Sequence, residues 1–315
     1  MRTIYDDISM RDTFGRTLAK MAEKFNNLFA VSADTEVSMG YSYMAEKFPD
    51  RVINVGICEQ NMALVAAGIA SCGGKAFAAT YAPFASMRML EQIRTFIAYP
   101  NLDVKIIAGM GGLSGSCEGV THQGLEDISI MRSIPNMIVI VPADSCSTEE
   151  ITNIITEYNG PIYLRLGRQT VPKVFDHYNF KIGKANILKK NGLDAAVICN
   201  GAAVYRVLQA EKLLAAKGID ISIIEMACVK PIDQDVVISA SKRTGRIITV
   251  EENNVIGGLG SAVAETVTEK FPVPVLRLGI QDIYTESGPH EELLDKYGLS
   301  SEAISIEIEK FISTQ

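Results

Sequence analysis

The chain has 315 residues, 47% apolar and 21% charged, which accommodates about two domains and excludes fibrous, low-complexity and disordered classes. Thirty Lys and Arg against 37 Asp and Glu leave a net charge of −7, so a broad basic face for nucleic acid is excluded. The start, Met1-Arg2-Thr3-Ile4-Tyr5-Asp6-Asp7, is acidic where a signal peptide is apolar, and the longest apolar stretch, Met62 to Cys72, is shorter than the ~20 residues that span a bilayer. The expectation is a cytoplasmic chain with no membrane contact. The six cysteines lack a Cys-x-x-Cys pair and lie mostly in apolar segments, which reads as buried free thiols rather than disulfides or a zinc site.

In chain order, β-branched runs alternate with amphipathic segments, the pattern of parallel sheets with crossover helices. A helix over Arg11 to Lys24 precedes strands Leu28 to Ser32 and Arg51 to Val55, and a small-residue helix Glu59 to Ser71 follows. Strand Ala76 to Thr80, helix Phe84 to Ile97, strand Asp103 to Ala108 and a Gly-rich loop come next. Helix Glu126 to Arg132, strand Met137 to Val141, helix Thr148 to Tyr158 and strand Ile162 to Leu166 complete a first unit. The fold class is α/β, with two tandem domains of mainly parallel sheets flanked by helices. Residues 1–175 form the first domain, 176–191 a linker and 192–315 the second. The second unit reads strand Ala195 to Cys199, helix Val204 to Lys217, strand Ile219 to Glu225 and a helix after Pro231. Strand Arg246 to Glu251, helix Gly258 to Phe271, strand Val275 to Leu278 and a terminal helical region end the chain.

No Walker loop, His-Glu-x-x-His, Gly-x-Ser-x-Gly or complete Gly-x-Gly-x-x-Gly is present. Gly258-Leu259-Gly260 lacks the third glycine and reads as close helix packing. Three places carry candidate chemistry. Glu59 begins a helix, Ala63 to Ala70, that is apolar nearly all round and expected to be buried. Its carboxylate either complements the helix dipole or sits in a low-dielectric functional site. The flexible loop Gly111 to Gly124 carries His122, either a surface histidine or a proton donor and phosphate contact. Arg165 and Arg168, at and past a strand end, are either solvated or an anion clamp, since guanidinium pairs bidentately with phosphate.

Ser32-Ala33-Asp34, Gly56-Ile57-Cys58-Glu59-Gln60-Asn61-Met62, Thr80-Tyr81-Ala82-Pro83-Phe84, Gly119-Val120-Thr121-His122-Gln123, Ile134-Pro135-Asn136-Met137 and Gly167-Arg168-Gln169 occur in that order. With Val229-Lys230-Pro231-Ile232-Asp233, Val250-Glu251-Glu252-Asn253 and Gly257-Gly258-Leu259-Gly260, they resemble the C-terminal half of the transketolase family. The resemblance implies a pyrimidine-binding domain followed by the transketolase C-terminal domain. It also implies thiamine diphosphate as cofactor, with Glu59 the catalytic glutamate at the aminopyrimidine ring nitrogen, Phe84 the stacking aromatic and Tyr81 beside it. His122 would serve catalysis and substrate contact, Arg168 and Ser38 the substrate phosphate, and Asp34 and Glu118 further substrate groups. Met110 and Glu118 stand where transketolases have a histidine and an aspartate, and Met87 and Leu90 replace two pocket aromatics, so sugar selectivity stays open.

The family holds the diphosphate through a divalent metal, Mg2+ or Ca2+, on a Gly-Asp-Gly motif, and this sequence has no Gly-Asp-Gly. The resemblance therefore implies a separate N-terminal subunit that carries that motif and most of the metal's ligands, in an α2β2 assembly acting on sugar phosphates. Deoxyxylulose-phosphate synthase, a 2-oxo acid dehydrogenase β-type subunit and a non-catalytic oligomerisation module are the alternatives.

Overall fold

The computed structural model describes residues 9–314; the acidic start at Met1 to Asp7 lies outside them. The strands are β1 Leu28–Ser32, β2 Val52–Asn54, β3 Lys75–Tyr81, β4 Val104–Gly109, β5 Ile138–Ile140, β6 Ile162–Arg165, β7 Asn186–Lys189, β8 Ala195–Cys199, β9 Ile221–Glu225, β10 Cys228–Lys230, β11 Ile247–Asn254 and β12 Val275–Ile280. The first sheet has the order β10-β5-β6-β4-β3-β1-β2 and is parallel except for β10. The second has the order β12-β11-β8-β9-β7 and is parallel except for the edge strand β7. The α/β reading of two tandem units stands.

Local chemistry explains the elements. β4, Val-Lys-Ile-Ile-Ala-Gly, is buried along its whole length, as a strand covered by helices on both faces must be. The helix Ser145–Glu157 starts in a capping box, where Asp144 accepts the Ser147 amide at 2.8 Å and the Ser147 hydroxyl takes the Asp144 amide at 2.9 Å. The helix Glu59–Ser71 turns Met62, Ala63, Ala66, Ala67 and Ala70 inward, and these alanines let it lie close on the sheet. One apolar core runs from Met62 and Ala66 through Ile128 and Met131 to Ala196, Leu259 and Val263, so the two units share it.

Four expectations are corrected, and one strand, β10, is not among the expected elements. The segment read as a linker contains β7, where Asn186 pairs with Glu225. β10 has no signal in the sequence: three residues beside a proline form a strand only because the open edge of β5 offers backbone partners. The helix read over Phe84 to Ile97 is instead a π-wound stretch Phe84–Arg88, a single α-turn Leu90–Gln92 and a second π-wound stretch Ile93–Ala98. The helix Glu59–Ser71 is not buried all round; Gln60, Asn61, Leu64 and Gly68 face outward. Only Cys199 and Cys228 are buried thiols, whereas Cys58, Cys72 and Cys117 are exposed, because each lies at a helix end or in a loop.

Candidate active site

The first sheet reverses its direction of growth at β1, with β2 added on one side and β3 on the other. Crevices at such switch points, beyond the carboxyl ends of the strands, are where open α/β sheets bind ligands. Here the Tyr81 hydroxyl, at the end of β3, donates to Ser38 Oγ at 3.0 Å, across from the end of β1. Ser38 sits in a turn held by Thr35, whose hydroxyl donates to the Ala79 carbonyl at 2.9 Å. Asp34 adopts a left-handed backbone (φ 61°), which Asp tolerates, and both its amide and its carboxylate are bound by Asn54. Asp34 therefore faces Asn54 rather than the other candidate residues.

Tyr81, Phe84 and His122 form one aromatic cluster. Ring centroids are 5.8 Å apart for Tyr81 and Phe84, 5.6 Å for Tyr81 and His122, and 5.2 Å edge-on for Phe84 and His122. His122 Nδ1 lies 2.9 Å from the Thr121 hydroxyl. Glu59 is 5% exposed at the start of its helix, and Arg88 Nη1 donates to its Oε1 at 2.8 Å. The same guanidinium lies 3.8 Å above the Phe84 ring. Sequence reasoning misses Arg88; its spacing of four residues from Phe84 on a helical segment is the available signal. Met87 is exposed and Leu90 half-buried against the core, so neither replaces an aromatic wall.

Beside this cluster a narrow cleft is lined by Arg11, Ser38, Met39, Tyr81, Met110 and Arg168. Arg11, also missed, reaches from the first helix to donate to the Ser38 carbonyl at 3.3 Å. Arg168 pairs with Glu118. Partial burial pushes the Glu118 carboxyl up, but the Arg168 hydrogen bond and charge outweigh it and hold the group below its ordinary value. Arg165 departs from the anion-clamp reading. Its side chain is 4% exposed, Nη2 donates to the Glu252 carbonyl at 2.9 Å and to the Gly124 carbonyl, and Nε lies 3.2 Å from Asp127 Oδ2. Buried Asp127 has a raised pKa, chiefly from desolvation, with Arg165 opposing.

The loop Gly111 to Gly124 is pinned rather than loose. The Gly112 amide donates to the Gly124 carbonyl at 2.7 Å and the Leu113 amide to Glu252 Oε1 at 2.7 Å. Gln123 Nε2 donates to the Glu286 carbonyl at 2.9 Å, and its Oε1 accepts from the Thr285 hydroxyl at 2.5 Å. Glu252, Thr285 and Glu286 belong to the second unit, so that unit positions the loop that carries Glu118 and His122. His290 Nε2 lies 2.9 Å from the same Glu252 Oε1. Burial lowers the His290 pKa, but the facing carboxylate outweighs it and raises the value; Glu252 is held below its ordinary value, His290 and Arg165 overcoming its burial. The Gly258 to Gly260 helix start is filled by Glu251, whose oxygens accept the Leu259 and Gly260 amides at 2.7 Å each. A side chain at Gly258 would collide with that carboxylate, which explains the glycine by packing.

Residues 6–173 match the transketolase pyrimidine binding domain, and residues 183–304 match the transketolase C-terminal domain. The chain belongs to the transketolase family. It is 41% identical to a protein named as a transketolase C-terminal section from Methanocaldococcus jannaschii, covering 94% of each. It is 37% identical to one of the subunits of the apulose-4-phosphate transketolase of Phocaeicola vulgatus, over 94% of this chain and 95% of that one. Among solved structures it resembles a split gene transketolase described as an inactive beta4 tetramer, at 40% identity and TM-score 0.90, over 97% of this chain and 99% of that one. Within this transketolase-family chain, no group of three or more His, Cys, Asp or Glu among the described residues is placed to hold a metal ion.

Proposed function

We propose that this chain is the C-terminal subunit of a split, thiamine diphosphate-dependent transketolase that moves a two-carbon ketol unit between sugar phosphates. The observation that carries the reading is the adjacency of two parts. A buried carboxylate joined through Arg88 to an aromatic, Glu59 with Phe84, is linked by Tyr81, whose ring centroid is 5.8 Å from that of Phe84, to a narrow cleft that Tyr81 lines with Arg168 and Ser38. The first part fits the aminopyrimidine, because a flat N–H-bearing group, the Arg88 guanidinium, already stacks on Phe84 and bonds Glu59. Glu59 and Phe84 would hold the aminopyrimidine of thiamine diphosphate, which when bound would supply the carbanion-stabilising chemistry that ketol transfer needs.

The chain's own residues do the rest. Glu59 exchanges a proton with the ring nitrogen of the aminopyrimidine from a site shielded from water. Phe84 fixes the ring plane, with Tyr81 and His122 packed beside it. His122 moves protons at substrate hydroxyls. Arg168, with Arg11 and Ser38, anchors the phosphate, for which Arg168 exchanges its Glu118 partner. Glu118, beside Arg168, contacts a further sugar group, whereas Asp34 is held by Asn54 and is left out of that set. Exposed apolar residues adjoin the site: Ile57 before Glu59, Leu64 on its helix, Met87 beside Arg88 and Val120 before His122. They support a partner surface that closes the site; a partner that carries the Gly-Asp-Gly motif and metal, in an α2β2 cytoplasmic assembly, completes the proposal. The first unit is proposed to end near residue 175, and the second to begin before β7 at residue 186, since that strand belongs to its sheet.

The test is co-expression with a candidate partner, followed by a ketol-transfer assay dependent on thiamine diphosphate and Mg2+. Glu59→Ala is expected to cut turnover by about a thousandfold while the assembly still forms. Turnover retained in that variant overturns the reading.

A further inference from the structure

We infer that Arg88 is a built-in occupant of the seat between Phe84 and Glu59, holding the place of the aminopyrimidine ring until that ring displaces it. The inference rests on the thiamine diphosphate reading and assigns a role to a residue which that reading leaves out.

Two contacts define the seat, and Arg88 makes both. Its guanidinium lies 3.8 Å over the Phe84 ring and donates to Glu59 Oε1 at 2.8 Å. An aminopyrimidine is likewise flat and conjugated, and its ring can carry a proton toward a carboxylate. A group that stacks on Phe84 while donating to Glu59 therefore competes with Arg88 for one place.

The free chain gains from the arrangement. Glu59 has a side-chain exposure of 6%, and a carboxylate so placed without a partner is costly. Arg88 supplies the compensating charge. Its own side chain is 49% exposed, so it can swing into solvent without opening a cavity in the core. The π-wound turn Phe84–Arg88 favours this, since its widened backbone brings residue 88 back over residue 84 and such turns concentrate at functional sites. Met87, next to it, is also exposed, so the rim of the seat is solvent-facing rather than locked.

A permanent supporting partner and a displaceable occupant make opposite predictions. If Arg88 must leave, its removal frees the ring from breaking a half-exposed ion pair and a cation–π contact. The dissociation constant for thiamine diphosphate then falls by roughly tenfold in Arg88→Ala and Arg88→Met. If Arg88 stays to orient Glu59, both substitutions weaken binding. Calorimetric titration of the reconstituted complex with thiamine diphosphate and Mg2+ reads this directly. Tighter binding supports the inference, and unchanged or weaker binding overturns it while leaving the cofactor reading intact. Binding by neither the parent nor the variants overturns the cofactor reading and this inference together. A second arm uses the full chain without partner or cofactor, titrated with 4-aminopyrimidine and followed by ligand-observed NMR. Arg88→Ala is expected to bind the fragment more tightly than the parent, with guanidinium ion competing for the vacated seat; equal affinity, or no competition by guanidinium, overturns the inference.

Discussion

The molecule holds two sheets of the same kind, and each has a switch-point crevice, between β1 and β3 in the first and between β8 and β11 in the second. In the first, Tyr81, Ser38, Arg11 and Arg168 line a cleft, with His122 packed on Tyr81 and Glu59 joined through Arg88 to Phe84. In the second, the carboxylates are already used, although the buried Asn200 Nδ2 at the end of β8 has no hydrogen-bond partner among the described residues. Glu251 satisfies the amides of a helix start, and Glu252 accepts the Leu113 amide and faces His290. Topology says where a site can form; whether one exists depends on whether the polar groups there are spent on the protein's own backbone. The second crevice is a clasp that holds the loop of the first.

Substitutions on the two sides should separate these roles. The Glu59→Ala loss of turnover is the largest expected effect and should leave thermal stability nearly unchanged. Arg165→Met should act the other way. It strands the carbonyls of Gly124 and Glu252 and leaves Asp127 buried without its cation, at a cost of about 3 kcal/mol in denaturant unfolding. A loss below about 1 kcal/mol would restore the anion-clamp reading of Arg165.

The second unit's buried carboxyls set a pH dependence of similar size. Desolvation raises Glu225 to about 7, against hydrogen bonds from Tyr178 and Asn186 that lower it, and raises Glu251 to about 7 likewise. The unfolded chain releases these protons near the ordinary Glu value of 4.5, whereas the folded chain keeps them. Each group's stabilising contribution is therefore complete below pH 4.5 and is lost as pH rises through about 7. The loss amounts to on the order of 3 kcal/mol per group. From pH 5 to 8 the unfolding free energy should fall by about 2 to 3 kcal/mol less in Glu225→Gln than in the parent; equal falls would exclude Glu225. Arg168→Ala carries the smallest effect. In the reconstituted enzyme KM for a sugar phosphate should rise by about thirtyfold with kcat little changed, and an unchanged KM would remove Arg168 from the phosphate site.

Much of the fold is legible in the sequence because its signals are local. β1, β8 and the helix Glu59–Ser71 have the limits their apolar runs and flanking residues indicate. β7 and β10 are not legible, because short edge strands take their identity from the strand they pair with. In the site, Tyr81, Phe84, His122 and Ser38 lie together as the motifs imply, but Asp34 faces Asn54 instead. Arg11 and Arg88 escape notice because an arginine on an amphipathic helix reads as a solvated one. Arg165 and Arg168, three residues apart, cannot be told apart by composition, yet one is buried structure and the other borders the cleft.

The sequence alone determined the α/β class, the tandem organisation and the family, since periodicity and the ordered motifs need no distant contacts. Only the tertiary structure decided which charges are free to act. An ionisable side chain takes its role from what lies within a few ångströms of it. Those neighbours come from strands and helices far apart in the chain: Leu113 against Glu252, Arg88 against Glu59, Arg165 against Asp127.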